Sequence, residues 1–394
     1  VRVQGPFPAH ALEGPVCLQV PDVLQALQDA AAAWRRRHPQ CRVVGITGSL
    51  GKTSTKEAIA AVLAGAGRVL KSEGNYNNEI GLPLTLLKLE ADDAYAVLEM
   101  GMYAAGEITR LAEIAGPDVG VITNVGPVHL ERLGSIEAIA AAKAELARWL
   151  PEEGTLYLNG DDERVAAMAQ VTRARRVIRY GLGSDCEVRA ESVRGRGLEG
   201  FDATFSDGRS SVHLALPWLG KHNVYVALAA CAVGLGEGLS WPAIEAGLRD
   251  CASLGRLRIV RGAGGSTILD DTYNASPAST LADLDLLAEL PGRRLAVLGD
   301  MLELGSLEEQ GHRQVGQRAG DTLSVLAAIG KRARWIAEEA QSRNPGLVTW
   351  SGQDPQAAVA WLKGQIMPGD YVLVKASRGM ALEEVVAALA EEGS

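Results

Sequence analysis

Between residues 41 and 65 the chain reads CRVVGITGSLGKTSTKEAIAAVLAG, and its centre, TGSLGKTS, sets two glycines, a lysine and four hydroxyl residues where a strand meets a helix. Gly48 and Gly51 let the backbone turn its N–H groups inward at the helix start, where the positive end of the helix dipole also favours an anion. The loop from Thr47 through Ser49 and Leu50 to Ser54 is therefore a phosphate cradle. Lys52 supplies a point charge for the terminal phosphates, and the hydroxyl of Thr53 is placed to ligate magnesium. Only two residues separate Gly48 from Gly51, tighter than the usual phosphate-loop spacing. A plain glycine turn would explain the glycines but not a Lys–Thr pair at a helix N-terminus.

The flanking elements support this placement. Residues 42–47 are rich in β-branched types, as a buried parallel strand requires, and 53–63 have helical propensity throughout. Downstream, strands at 68–71, 95–99 and 118–123 alternate with a helix at 105–115 and an alanine-rich helix at 136–149, which implies a parallel sheet with helices on its faces. Ligands in such sheets sit beyond the carboxyl ends of the strands. That rule brings Glu99, the NVGPVH run ending at His129, and the asparagine-rich run after Lys71 to the same edge as the cradle. Taken alone, Glu99 is a strand-end residue facing solvent and His129 an idle loop histidine; their convergence makes both candidate metal ligands. Lys143 stays open between a solvated surface lysine and a site residue.

Further along, short alternating strands over 184–216 suggest an antiparallel edge, and GKHN precedes an apolar helix that Asn223 would cap. Near Leu254 the organisation restarts. Strands at 294–298, 323–329, 347–350 and 370–375, each followed by a helical segment, form a second α/β domain whose loops DDTYNASP, GDMLELG and KASRGM fall at its ligand edge. The expected fold is thus α/β: a central phosphate-loop ATPase domain over 41–253 with a mostly parallel sheet, and a Rossmann-like domain over 254–394. Residues 1–40, with a helix over 21–37 that has Pro21 in its first turn, are too few for a domain.

Composition narrows the function classes. The 394 residues carry a net charge of -9 and a pI near 5.4, which argues against a broad nucleic-acid or anionic-membrane surface. No run approaches a membrane span and no secretory signal is visible at the N-terminus, so the cytoplasm is the expected location. Five scattered cysteines show no metal-type pairs, and their odd number argues against a complete disulfide framework.

Together, GITGSLGKTSTKE, GNYNNEIGLPLTLL, EMGM, GVITNVGPVHLERLGS with AAKAEL, GKHN, GRL, LDDTYNASP, LAVLGDMLELG and VLVKASRGMALEEVV resemble the Mur ligase family, in the family's order from about residue 41 to the C-terminus. The compressed glycine spacing is the form this family uses. The resemblance implies an ATP- and Mg2+-dependent amide-bond ligase working through an acyl phosphate. The NNEIG, DDTYNASP and GDMLELG versions point to the member that joins D-alanyl-D-alanine to UDP-N-acetylmuramoyl-tripeptide, acting as a monomer. It further implies that Glu99 and Thr53 hold one magnesium, that His129 ligates a second, and that Lys143 matches the family lysine carbamylated in several members. Asn223, Arg256, Asp271 and Asn274 match nucleotide-binding positions, Asn77 and Asn78 the loop near the muramoyl-peptide, and Lys375, Ser377 and Arg378 the loop near the incoming amine.

Two features depart from the family pattern. Val226 stands where relatives commonly carry a second asparagine, and residues 1–40 read as only a remnant of the uridine-binding domain. The alternatives are another ligase of the family, such as a folylpolyglutamate synthase, and an idle nucleotide-binding scaffold. Intact Lys52, Glu99, His129 and Lys143 argue against the scaffold.

Overall fold

A computed structural model describes residues 19–128, 130–251 and 257–391. In chain order, α1 (Val23–Arg36) leads into β1 (Arg42–Thr47), α2 (Lys52–Leu63), β2 (Arg68–Lys71), α3 (Gly81–Leu86), β3 (Asp93–Glu99), α4 (Glu107–Ala115) and β4 (Val119–Ile122). The turn α5 (Leu130–Leu133) and the helix α6 (Ile136–Trp149) precede β5 (Thr155–Asn159), the single turn α7 (Glu163–Ala166), and strands β6 (Arg176–Gly181), β7 (Val188–Gly195), β8 (Phe201–Ser206) and β9 (Ser211–Leu216). Helices α8 (Val224–Gly236) and α9 (Trp241–Asp250) close this half. Its sheet runs β2-β3-β1-β4-β5-β6-β7-β8-β9, parallel as far as β7 and antiparallel over the last two pairings.

Both faces of this sheet are covered, which is why β1, β4 and β5 are continuous apolar runs and not alternating ones. One layer packs Ile59, Leu63, Leu228 and Ile244 from α2, α8 and α9; the other packs Ala31, Leu111, Ile139 and Leu146 from α1, α4 and α6. Every residue of α8 from Val226 to Gly234 is buried, so its sequence is apolar all round with no polar stripe.

The second half comprises β10 (Arg258–Gly262), β11 (Ser266–Asp271), α10 (Pro277–Glu289), β12 (Arg294–Gly299), α11 (Glu308–Thr322), β13 (Val325–Ile329), α12 (Arg334–Arg343), β14 (Val348–Gly352), α13 (Pro355–Lys363), β15 (Tyr371–Lys375) and α14 (Glu383–Leu389). Its sheet runs β10-β11-β15-β12-β13-β14, antiparallel only between β10 and β11. Helices α10, α11 and α12 bury Leu284, Val315 and Ile336 on one face; α13 and α14 bury Leu362 and Val385 on the other. The halves touch: Leu198 and Leu219 pack on the second core, Leu307 packs on the first, and Lys221 pairs with Glu289 at 2.9 Å.

The first helix begins later than the sequence reading, because the Asp22 carboxylate caps it by accepting from the Gln25 N–H at 2.9 Å and leaves Pro21 outside. Residues 105 and 106 likewise stay out of α4, since Gly106 takes a left-handed φ of 89° at its N-cap. Among the described residues no helix is long and apolar enough to cross a membrane.

Candidate active site

The phosphate loop is held from both sides. Behind it, Thr47 is fully buried and its hydroxyl donates to the Met100 carbonyl at 3.0 Å. Gly48 sits at φ 153°, and a Cβ there would lie 1.9 Å from the Thr123 hydroxyl, so no larger residue fits. Gly51 takes φ 76° as the N-cap of α2, which leaves the N–H groups of the first turn without an intrahelical carbonyl. Lys52 folds back over the loop, donating to the carbonyls of Gly48 at 2.8 Å and Ser49 at 3.2 Å. Ser54, partly exposed, stands in the first turn of α2.

In front, the Asn124 side chain clasps Leu50, accepting from its N–H at 2.8 Å and donating to its carbonyl at 3.0 Å. The Thr123 hydroxyl adds a third bond to that loop residue, donating to the same carbonyl at 2.7 Å, and Ser49 and Gly126 bond one another through the serine hydroxyl. Thr123 and Asn124 were legible only as the motif after β4; their role as the rigid wall of the cradle is a tertiary fact. The same loop conformation without them would lose three side-chain bonds.

Glu99 is not the solvent-facing strand end that its position alone suggests. It is 2% exposed, its Oε2 accepts from the Thr53 hydroxyl at 2.9 Å, and its Oε1 accepts from the Asn77 amide at 2.9 Å. The register of β1 on β3, which pairs Ile46 with Glu99, sets the carboxylate beside the loop. Among the described residues no cation pairs with it. Asn78 acts on the backbone instead, where its Oδ1 accepts from the N–H groups of Gly81 and Ile80, at 2.8 and 3.3 Å, and so starts α3.

Lys143 is likewise no surface lysine. It lies 2% exposed on α6 with no hydrogen-bond or ion-pair partner among the described residues. Burial, and secondarily the positive charge of Lys52, push its ammonium well below the usual lysine range, so the neutral amine is favoured. His129 lies outside the described residues. Asn223 does not cap α8 with its side chain; its amide reaches back to the Leu219 carbonyl at 2.7 Å, because the residue itself is already helical at φ -69°.

From the second half, Asp271 ends β11 with Asn274 in the loop after it, Lys375 ends β15 with Ser377 and Arg378 after it, and the parallel pairing of these strands, Asp271 beside Lys375, brings the two loops together. Lys375 is 1% exposed and lies between the carboxylates of Asp271 and Asp283, the latter at 2.9 Å, while also donating to the Asn274 carbonyl at 3.2 Å. Burial raises the Asp283 carboxyl, opposed by Lys375, and the two acids in turn hold the Lys375 ammonium above its ordinary range. Asp283, on α10, gave no sequence signal, being one acid in a helix. Ser377 accepts from the Leu302 N–H at 2.9 Å and joins the GDMLELG loop to this edge. Arg378 is 65% exposed, pairs with the exposed Glu383 at 3.5 Å and sets its guanidinium 5.6 Å from the Tyr273 ring. Arg256 lies outside the described residues.

This geometry can be set beside known proteins. Residues 46–234 match the Mur ligase middle domain, and 255–378 match the Mur ligase, glutamate ligase domain. The UDP-N-acetylmuramoyl-tripeptide--D-alanyl-D-alanine ligase of a Synechocystis strain is 43% identical over 378 residues, spanning 95% of this chain and 80% of that protein. Among solved structures, MurF from Acinetobacter baumannii superposes with a TM-score of 0.87 at 30% identity over 95% of this chain and 83% of its own. MurF from Thermotoga maritima in complex with ADP does so with a TM-score of 0.82 at 29% identity, over 94% of this chain and 84% of its own. With both domain models matched in order and this identity sustained along nearly the whole chain, the protein belongs to the Mur ligase family.

Proposed function

We propose that the protein uses ATP to join the amino group of D-alanyl-D-alanine to the peptide carboxylate of UDP-N-acetylmuramoyl-tripeptide, as a cytoplasmic monomer making a peptidoglycan precursor. The observation that carries the reading is Glu99, a buried carboxylate with two neutral donors and no cation, set against a phosphate loop. A buried charge without a counter-ion is costly, so the site suits a ligand that brings one. Thr53 and Glu99 offer hard oxygens of the kind magnesium prefers, and Mg2+ bound there would neutralise phosphate charge.

The reaction proceeds in two displacements. A carboxylate oxygen of the tripeptide attacks the γ-phosphorus and the bond to the β-phosphate oxygen breaks, releasing ADP and leaving an acyl phosphate. The deprotonated dipeptide amine then attacks the acyl carbon, the C–O bond to phosphate breaks, and phosphate departs as the new amide forms. Lys52 and the N–H groups of the first turn of α2 stabilise charge on the moving phosphoryl group. Asn223, Arg256, Asp271 and Asn274 hold the nucleotide, and closure of the second half over the first completes the site. Asn77 steadies Glu99 while its loop, with Asn78, approaches the muramoyl-peptide. Lys375 and Ser377 keep the amine-side loop in place, and Arg378 is the exposed cation available to the dipeptide carboxylate.

Lys143 is carbamylated in the working enzyme, and with His129 it provides the second magnesium position. Its amine, in the neutral form that burial favours, attacks the carbon of CO2; one C=O π bond opens, the nitrogen then releases one proton to water, and the neutral side chain becomes an anion with two oxygens. Formation of ADP and phosphate should require both substrates together. Equal turnover with a single amino acid as the amine would sink the dipeptide assignment and favour a folylpolyglutamate-type activity; no turnover with any amine would leave the scaffold.

A further inference from the structure

The second sheet has more than one place where ligands can enter. In an open α/β sheet a crevice opens at the carboxyl edge wherever the helices following two adjacent strands leave to opposite faces. This occurs on both sides of β15, where the Asp271, Asp300 and Lys375 loops meet, and once more between β13 and β14. Helix α12 follows β13 onto the face of α10 and α11, whereas α13 follows β14 onto the opposite face. A cavity of about 700 Å³ lies at this third place, walled by Gly330 to Trp335 on one side and Ser351 to Gln353 on the other.

Its lining is basic in a protein of net charge -9: Lys331, Arg332 and Arg334 line it with one acid, Glu308, while Asp300 lies behind and pairs with Arg332 at 3.7 Å. Glu308 is already engaged by Arg332 at 2.5 Å, and the Asp300 carboxylate is satisfied by the N–H groups of Arg332 and Ala333, at 2.9 and 2.7 Å. Asp300 thus fills the start of α12, and Lys331 and Arg334 are left exposed with no acidic partner among the described residues. Arg334 lies 5.6 Å from the Trp335 ring, which lines the same cavity. Two uncompensated cations, a third locked in place, the Ser351 hydroxyl and the Gln353 amide around one concavity are the recognition chemistry of a phosphoryl-bearing anion.

We propose that the crevice between β13 and β14 is a second anion site, separate from the phosphate loop, that takes a ligand carrying phosphoryl groups. The test titrates the full chain carrying Lys52→Ala, which removes the phosphate-loop lysine, with inorganic pyrophosphate, and reads calorimetric heat together with the fluorescence of Trp335. Saturable binding is expected, its fluorescence change absent when Trp335→Phe is added. Adding Lys331→Glu and Arg334→Glu should weaken binding by at least about tenfold, since two attractions become repulsions. The same titration with ADP and with phosphate separates the sources: ADP tighter than pyrophosphate, with the difference lost on Trp335→Phe, means a nucleotide whose base meets Trp335, and equal affinity means the phosphoryl groups alone are read. Absence of saturable binding in the Lys52→Ala chain, or undiminished binding after both charge reversals in a chain with an unchanged circular dichroism spectrum, overturns the proposal.

Discussion

The two ligand edges are built alike and charged differently. Each lies beyond the carboxyl ends of parallel strands, and each buries a lysine almost completely, Lys143 at 2% exposure and Lys375 at 1%. Lys375 is held by Asp271 and Asp283 and ties the end of β15 to the loop after β11 and to α10, while Ser377 beside it joins the GDMLELG loop. Lys143 has no such partner among the described residues, and Glu99, buried in the same half, is a carboxylate without a cation. The same residue type is thus ion-paired in one place and, among the described residues, unpaired in the other. What separates them is whether the protein supplies the counter-charge itself or leaves it to a ligand.

Breaking the compensated side should have the largest effect. Lys375→Met leaves Asp271 and Asp283 facing each other in a buried site, and a loss of about 3–5 kcal/mol is expected from the urea midpoint. A midpoint within experimental error of the parent would show that the acids are neutralised by other means. On the uncompensated side, Lys52→Ala and Glu99→Ala should each keep the fold yet lose at least roughly a hundredfold in kcat, about 2.7 kcal/mol of transition-state stabilisation. Near-normal turnover in either would remove that residue from the mechanism.

Lys143 sharpens the contrast through pH. Its folded-state affinity for a proton is depressed, so in metal- and bicarbonate-free buffer unfolding takes up a proton between the lowered value and the usual 10.5. More protons bound in the unfolded state mean stability that rises with pH across that window. Lys143→Met lacks this penalty and should be more stable than the parent at neutral pH, with the advantage shrinking toward pH 10.5. It should also be almost inactive, while Lys143→Ala should be partly rescued by a short carboxylic acid in the presence of magnesium. A stability gap that does not change with pH would mean that the ammonium stays charged in the fold. The smallest effect is expected at Asn124: Asn124→Ala frees Leu50 and should cost about 1 kcal/mol, seen as a raised KM for ATP with little change in melting temperature.

The phosphate loop was legible in the chain because its requirements are local. Two glycines with positive φ, a lysine at a helix start and a hydroxyl beside it lie within six residues, and the backbone conformation they allow is nearly the whole of the cradle. The strand–helix alternation that places every candidate at a carboxyl edge was legible for the same reason, since hydrophobic period and turn residues act over short stretches. Element ends were less so, because a cap such as Asp22 or a left-handed Gly106 decides them within one residue.

Sequence by itself therefore determined the fold class, the family and the position of the cradle. Tertiary structure alone decided the electrostatic state of the side chains around it. Glu99 becomes a partnered but cation-free carboxylate through Asn77, which lies 22 residues away, and Lys375 becomes a neutralised strut through Asp271, at a separation of 104. Lys143 loses its water because α6 turns it inward, where nothing in the alanine-rich run around it marks one lysine as buried. Desolvation and counter-charge are set by whatever distant elements happen to pack nearby, and no local propensity encodes them.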